Sequence, residues 1–92
     1  MAARIIALST GYSRAFQRLG LSGTVRGQRT ARTILSMEAA VLPGPQDIEA
    51  PVPPTGRAYV RRVAGENLWV WYRATDDTLR VLALTDNPPV PI

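Results

Sequence analysis

Three runs rich in Val, Leu, Tyr and Trp crowd the second half of this chain, and they narrow its possible folds more than any other feature. They are Ala58 to Val63, Leu68 to Thr75 and Leu79 to Thr85. Such residues favour a pleated, half-buried surface. Ala64-Gly65-Glu66-Asn67 joins the first pair of runs, and Asp76-Asp77 is short enough to join the second pair by a tight turn. Connections of this length require antiparallel neighbours. The C-terminal half is therefore expected to be a meander of three strands.

The N-terminal half reads differently. Arg4 to Ser9 has the apolar pattern of a short strand, with Ile5, Ile6 and Leu8. Ser9, Thr10 and Ser13 then offer oxygens for a helix start. Tyr12, Phe16 and Leu19 recur at helical spacing, which predicts a helix from about Gly11 to Leu19, broken by Gly20, Ser22 and Gly23. Thr24 is a candidate N-cap for a longer helix to about Leu42, with Ala31, Ile34, Leu35, Val41 and Leu42 as its apolar set. Pro43-Gly44-Pro45 stops it. Residues 43–56 form a Pro-rich stretch without clear periodicity, either an ordered functional loop or a segment that orders on a partner. Residues 87–92 form a Pro-rich tail that cannot donate a regular ladder and should leave the sheet. The expected order is β-α-α-β-β-β in one domain spanning 1–92. The expected class is α+β, a small twisted antiparallel-rich sheet with two helices packed on one face.

The 92 residues include no Cys and no His. A disulfide framework, a Cys-based metal site and the commonest transition-metal ligand are all excluded. No metal or cofactor is expected, and a hydrophobic core must carry the fold. The formal net charge is +4, and every basic residue is Arg. Arginine presents a planar fork of donors suited to phosphate or carboxylate, and it stacks on aromatic rings. A basic balance points to nucleic acid or an acidic protein partner. The start has too short an apolar run for a signal peptide, and no run approaches the ~20 residues that span a bilayer. The expected location is cytoplasmic, with no membrane contact. Without a phosphate loop, nucleophile motif or metal cluster, a small-molecule substrate has no support.

Strand alternation gathers the Arg and Trp residues. A two-residue turn at Asp76-Asp77 sets Arg73 opposite Arg80, Trp71 opposite Leu82 and Trp69 opposite Leu84. The four-residue loop before Leu68 sets Arg62 opposite Trp69 and Val60 opposite Trp71. One face then carries Arg62, Trp69, Trp71, Arg73 and Arg80, which are the candidate target-binding residues. The other carries Leu68, Val70, Tyr72, Leu79, Val81 and Ala83 and reads as the core under the helices. Directly opposed cations destabilise a bare sheet and make sense if a carboxylate or phosphate sits between them. The alternative is that the Pro-rich loop or the tail covers both Trp residues. Arg61 falls on the core face and must reach an edge or a carboxylate. On the second helix Arg26, Arg29 and Arg32 share a side, either as a solvated face or as a partner-binding stripe for phosphates or an acidic protein.

Val60-Arg61-Arg62-Val63, a short turn, Val70-Trp71-Tyr72, then Asp76-Asp77-Thr78-Leu79 and Val81-Leu82-Ala83-Leu84 together resemble the C-terminal half of RelE/ParE toxins. The YoeB-like branch is the most similar, with an Arg-Arg pair, a hairpin ending in Tyr and an Asp-Asp turn in the same order. The resemblance implies helices on one face of a twisted sheet and a cognate antitoxin that wraps and blocks the toxin. Its ribonuclease members cut messenger RNA on the ribosome, and its ParE-like members act on DNA gyrase. The chain departs from the nuclease branch at three places. The basic residue three positions before the hairpin Tyr is replaced by Trp69. The chain reads Asp86-Asn87-Pro88 after the last strand, and there is no Lys.

Cleavage through a 2′-hydroxyl needs a base, an acid and phosphate stabilisation. Arg73 and Arg80 suit phosphate contact, but Arg stays protonated and is a poor base. Proton transfer would fall to Tyr72, Asp47, Glu49 or Asp86. Arg73, Arg80 and Tyr72 are thus the catalytic candidates if the chain is an endoribonuclease. The leading expectation is a toxin that inhibits growth by binding gyrase or the ribosome. The alternatives are a ribosome-dependent mRNA endoribonuclease and a toxin-like interaction domain without toxicity.

Overall fold

A computed structural model of the protein describes residues 3–52 and 56–89. Its elements are β1 (Ile5–Leu8), α1 (Thr10–Arg18), α2 (Val25–Ser36), β2 (Ile48–Pro51), β3 (Arg57–Arg62), β4 (Trp69–Ala74) and β5 (Thr78–Thr85). The five strands form one sheet in the order β1-β5-β4-β3-β2. β1 lies parallel to β5, and the other pairs are antiparallel. The α+β class and the C-terminal meander match the expectation. The tail does leave the sheet at Thr85, and Val90 to Ile92 lie outside the described residues.

Three expectations need correction. First, the Pro-rich stretch 43–56 is not a plain loop. Ile48–Pro51 adds an edge strand to β3, so the order is β-α-α-β-β-β-β. Its Pro51 sits where a missing N–H does least harm, on an outer strand. Residues 53–55 of this stretch lie outside the described residues. Second, α2 ends at Ser36 and not near Leu42. The Arg4 guanidinium donates to the carbonyls of Met37 (3.3 Å) and Ala40 (2.7 Å), and the Arg4 N–H donates to Glu38 O (2.9 Å). Carbonyls that a longer helix would use are taken by the strand beside it. Pro43 also disfavours helical backbone at Leu42.

Third, β5 is bulged. Tyr72 pairs with Val81 but Trp71 pairs with Ala83, which leaves Leu82 without a partner. Trp69 accordingly faces Thr85, and Leu84 turns to the helix side with 1 % exposure. The bulge is held from α1. The Leu82 carbonyl accepts the Ser9 hydroxyl at 2.7 Å, and Ser9 Oγ in turn caps the helix by accepting the Tyr12 N–H at 3.1 Å.

The core lies between the helices and one sheet face. Tyr12 and Ala15 of α1, Leu21, Ile34 and Met37 pack on Val63, Leu68, Val70, Tyr72, Leu79, Val81 and Leu84. The buried side of α2 is Gly27, Thr30 and Ile34, continued by Met37. Ala31 is exposed, and so are Leu35 and Val41 of the expected apolar set. Thr30 tolerates burial because its hydroxyl donates to Arg26 O at 2.9 Å. Gly27 has no room for a side chain. A Cβ there would stand 2.1 Å from Leu21 O, so the backbone of α2 sits directly against the turn before it. Gly27→Ala is therefore expected to lower unfolding free energy by about 1–3 kcal/mol, although alanine is the better helix former. Urea denaturation followed by circular dichroism measures it.

Candidate target-binding face

β4 and its two neighbours build the exposed side of the sheet. Alternation along Trp69–Ala74 sends Val70 and Tyr72 under the helices and sends Trp69, Trp71 and Arg73 the other way. On β3, Arg62 stands opposite Trp69 and Val60 opposite Trp71, as the loop length predicts. On β5, Arg80 stands directly opposite Arg73. All five expected residues, Arg62, Trp69, Trp71, Arg73 and Arg80, share the face turned away from the helices.

The indoles are half-buried among small neighbours. Val60 and Ala58 on β3 and Ala50 on β2 are buried without belonging to the helix-side core, so this face has its own apolar floor. The Trp71 indole N–H donates to Thr85 Oγ1 at 3.0 Å, which fixes the ring across the bulged pair of strands. The Arg62 guanidinium lies 5.7 Å from the Trp69 ring centroid and also donates to Glu66 O (2.8 Å) and Asn67 Oδ1 (3.1 Å). Arg62 is thus anchored at the turn, with a cation–π contact of about 0.5–1 kcal/mol at such an exposed site.

Arg73 and Arg80 are exposed and line one depression of ≈ 390 Å³ with Ala74, Thr75, Asp77 and Thr78. Arg73 Nε donates to Arg57 O at 3.0 Å, and among the described residues its terminal nitrogens have no hydrogen-bond acceptor. Asp77 is the acidic member of the rim. Hydrogen bonds from the Thr75 and Thr78 hydroxyls hold its carboxyl below the usual carboxylate range, which makes it a weak base. The depression therefore combines guanidiniums and hydroxyls suited to an anion, without a group poised for proton transfer.

Tyr72 lies elsewhere. It is fully buried on the helix side, and its hydroxyl donates to Asp47 Oδ2 in a short hydrogen bond. Burial, then the bond to the Asp47 carboxylate, pushes its pKa up. Asp47 is the centre of a closed network. Its carboxylate accepts Arg61 Nε (2.7 Å), Arg61 Nη2 (2.9 Å) and the Gly44 N–H (2.8 Å) besides the Tyr72 hydroxyl. The Asp47 side chain is 0 % exposed and that of Arg61 9 %. Arg61 thus meets the carboxylate its core-face position demands. Burial alone would raise the pKa of Asp47, but the bonds from Arg61, Tyr72 and Gly44 outweigh it and lower the pKa. Asp47 and Tyr72 are tied up in holding β2 to the sheet and cannot reach a substrate on the other face. Glu49, another proton-transfer candidate, lies 3.5 Å from Arg57 Nη1.

The Arg stripe of α2 divides. Arg26 and Arg29 both donate to Glu66 of the β3–β4 turn, at 2.8 and 2.5 Å. These bonds pull the Glu66 pKa down. Arg32 is exposed. Two of the three candidate partner-binding residues therefore tie α2 to the sheet. Sequence reading missed this clamp because Glu66 sits in a turn, 37 residues from Arg29. Among the described residues no group of three or more Asp and Glu side chains could hold a metal.

Comparison of the chain with protein-family models, with curated proteins and with solved structures finds no match. No helix of the described residues is long and apolar enough to cross a membrane.

Asp47→Ala strands the buried Arg61 cation and is expected to cost about 3–5 kcal/mol of stability. The pH dependence has a definite sign. The folded pKa of Asp47 lies below its ordinary 3.8, so its contribution is complete above that value and is lost as pH falls through the folded pKa. Thermal denaturation of the wild type should show this acid loss, and Asp47→Ala should reduce it, the remainder coming from Glu66 and Asp77.

Proposed function

We propose that this chain is the toxin component of a bacterial toxin–antitoxin pair of the RelE/ParE kind, acting in the cytoplasm by gripping gyrase or the ribosome and neutralised by a cognate antitoxin. The observation that carries the binding part of this reading is the direct opposition of Arg73 and Arg80 on an exposed sheet face. Like charges set opposite one another weaken a sheet by roughly 0.2–1 kcal/mol and reward an anionic partner that lies between them. Trp69 and Trp71 continue the same face with large, partly exposed rings of the type that anchors interfaces.

Binding is favoured over RNA cleavage by the fate of the proton-transfer candidates. Tyr72 and Asp47 are buried in each other's company, and Glu49 lies against Arg57. The endoribonuclease alternative would have to rest on Glu49, whose contact with Arg57 is loose and exposed, on Asp86 or on groups supplied by the ribosome.

Expression of the wild type is expected to arrest growth, and the purified protein to inhibit gyrase supercoiling or ribosomal translation at micromolar concentration. Arg73→Ala with Arg80→Ala should abolish both effects while leaving the circular dichroism spectrum unchanged. Absence of growth arrest and of inhibition in both assays would overturn the toxin reading, and site-specific mRNA cleavage on ribosomes would replace binding by catalysis.

A further inference from the structure

The two edges of the sheet are treated differently. β2 carries Glu49 and Pro51, and Glu49 faces Arg57 of the next strand. Charge and proline are the ordinary means of keeping an edge from pairing with another chain. β1 has neither. Its sequence is Ile-Ile-Ala-Leu, and Ile5 and Leu8 are 73 % and 53 % exposed.

The hydrogen-bonding phase of β1 is also set. Ile5 N–H donates to Asp77 O and Ser9 N–H to Val81 O, so the odd-numbered residues turn toward β5. The even-numbered ones turn outward, as the Arg4 N–H does toward Glu38 O. Ile6 and Leu8 therefore offer N–H and C=O groups along this edge, placed evenly about Ala7, and among the described residues no strand pairs with them.

We infer that β1 is a dimerisation edge, pairing antiparallel with β1 of a second copy about a twofold axis at Ala7. Ile6 of one copy then bonds Leu8 of the other, and the reverse, so the outward groups of both edges are used. The small Ala7 side chains meet at the axis. No charge lies within β1, so symmetric pairing opposes no like charges. The ends are complementary as well. Glu38 sits beside the start of β1, and among the described residues it is in no ion pair. At the other end α1 begins at Thr10 with no acidic residue in its first turn. Antiparallel pairing carries Glu38 of each copy toward the positive end of α1 in the other. Val41, exposed in the segment that lines a depression with Arg4 and Glu38, adds apolar surface at the same edge. This edge adjoins the Arg/Trp face at Arg80, which Ala7 neighbours in the sheet, but the pairing uses backbone groups of β1 and does not depend on what that face binds.

Sedimentation velocity of the full chain from micromolar to submillimolar concentration tests it, together with amide exchange at Ile6 and Leu8. A reversible monomer–dimer equilibrium is expected, with both amides slowed as the dimer forms. Ala7→Glu puts a carboxylate beside Arg80 in its own sheet, since Ala7 and Arg80 are in register, but sets two carboxylates against each other at the axis. It should weaken the dimer by about tenfold or more, and at concentrations where the wild type is monomeric it should leave the unfolding midpoint unchanged. Leu8→Lys, a charge on the outward edge, should do the same. A monomer at every concentration would overturn the inference. So would a dimer that both variants leave intact, or one that forms while the two amides exchange freely.

Discussion

The pairing of β4 with the bulged β5 decides what each side of this protein is for. The extra residue at Leu82 shifts the register once, between Trp71 and Tyr72. On the turn side of the bulge, Arg73 meets Arg80. Beyond it, Leu84 rotates into the core, while Ala83 and Thr85 come to lie against the indoles. A regular strand would have sent Leu82 and Leu84 to the Trp face and removed a large side chain from beneath the helices. The carbonyl freed by the irregularity is not wasted, because Ser9 closes it at the start of α1. Helix, bulge and exposed face are thus consequences of one local arrangement.

Around that centre the polar groups serve mainly as fasteners. Arg4 joins β1 to the end of α2 and to Thr75 O before the β4–β5 turn. Glu66 gathers Arg26 and Arg29, and Asp47 gathers Arg61, Tyr72 and Gly44. A chain this small has a thin core, and buried or clamped pairs fix the position of elements that apolar packing alone would leave loose. The cost is chemical. Once Asp47 and Tyr72 are committed to holding β2, little remains to carry protons. What is left in solvent is a surface of guanidiniums and indoles, fitted for contact more than for reaction.

Much of this was legible in the residues. The short turns at Ala64–Asn67 and Asp76-Asp77 set the strand order and put Arg73 against Arg80 and Arg62 against Trp69. Arg61 announced its need for a carboxylate by falling on the apolar side. The bulge was not legible, because Val81-Leu82-Ala83-Leu84 alternates as smoothly as a regular strand and the irregularity is held by Ser9, far away in sequence. The early end of α2 was hidden for a similar reason. Met37 to Val41 suits a helix well enough, and it is Arg4, just before the first strand, that captures carbonyls there, with Pro43 disfavouring helix at Leu42. The buried side of α2 escaped notice because Gly27 and Thr30 lack the apolar mark of a core position, and β2 because Glu49 and Pro51 disguise an edge strand.

A double-mutant cycle on Arg73 and Arg80, read as unfolding free energy at low and at high salt, goes most directly to the claim that these two arginines stand opposite each other on adjacent strands of the exposed face, with no ion pair among the described residues. The coupling should be repulsive, on the order of 0.2–1 kcal/mol at low ionic strength, and should shrink as salt is added. An attractive coupling, or none at low salt, would mean that the two side chains do not share the surface described for them.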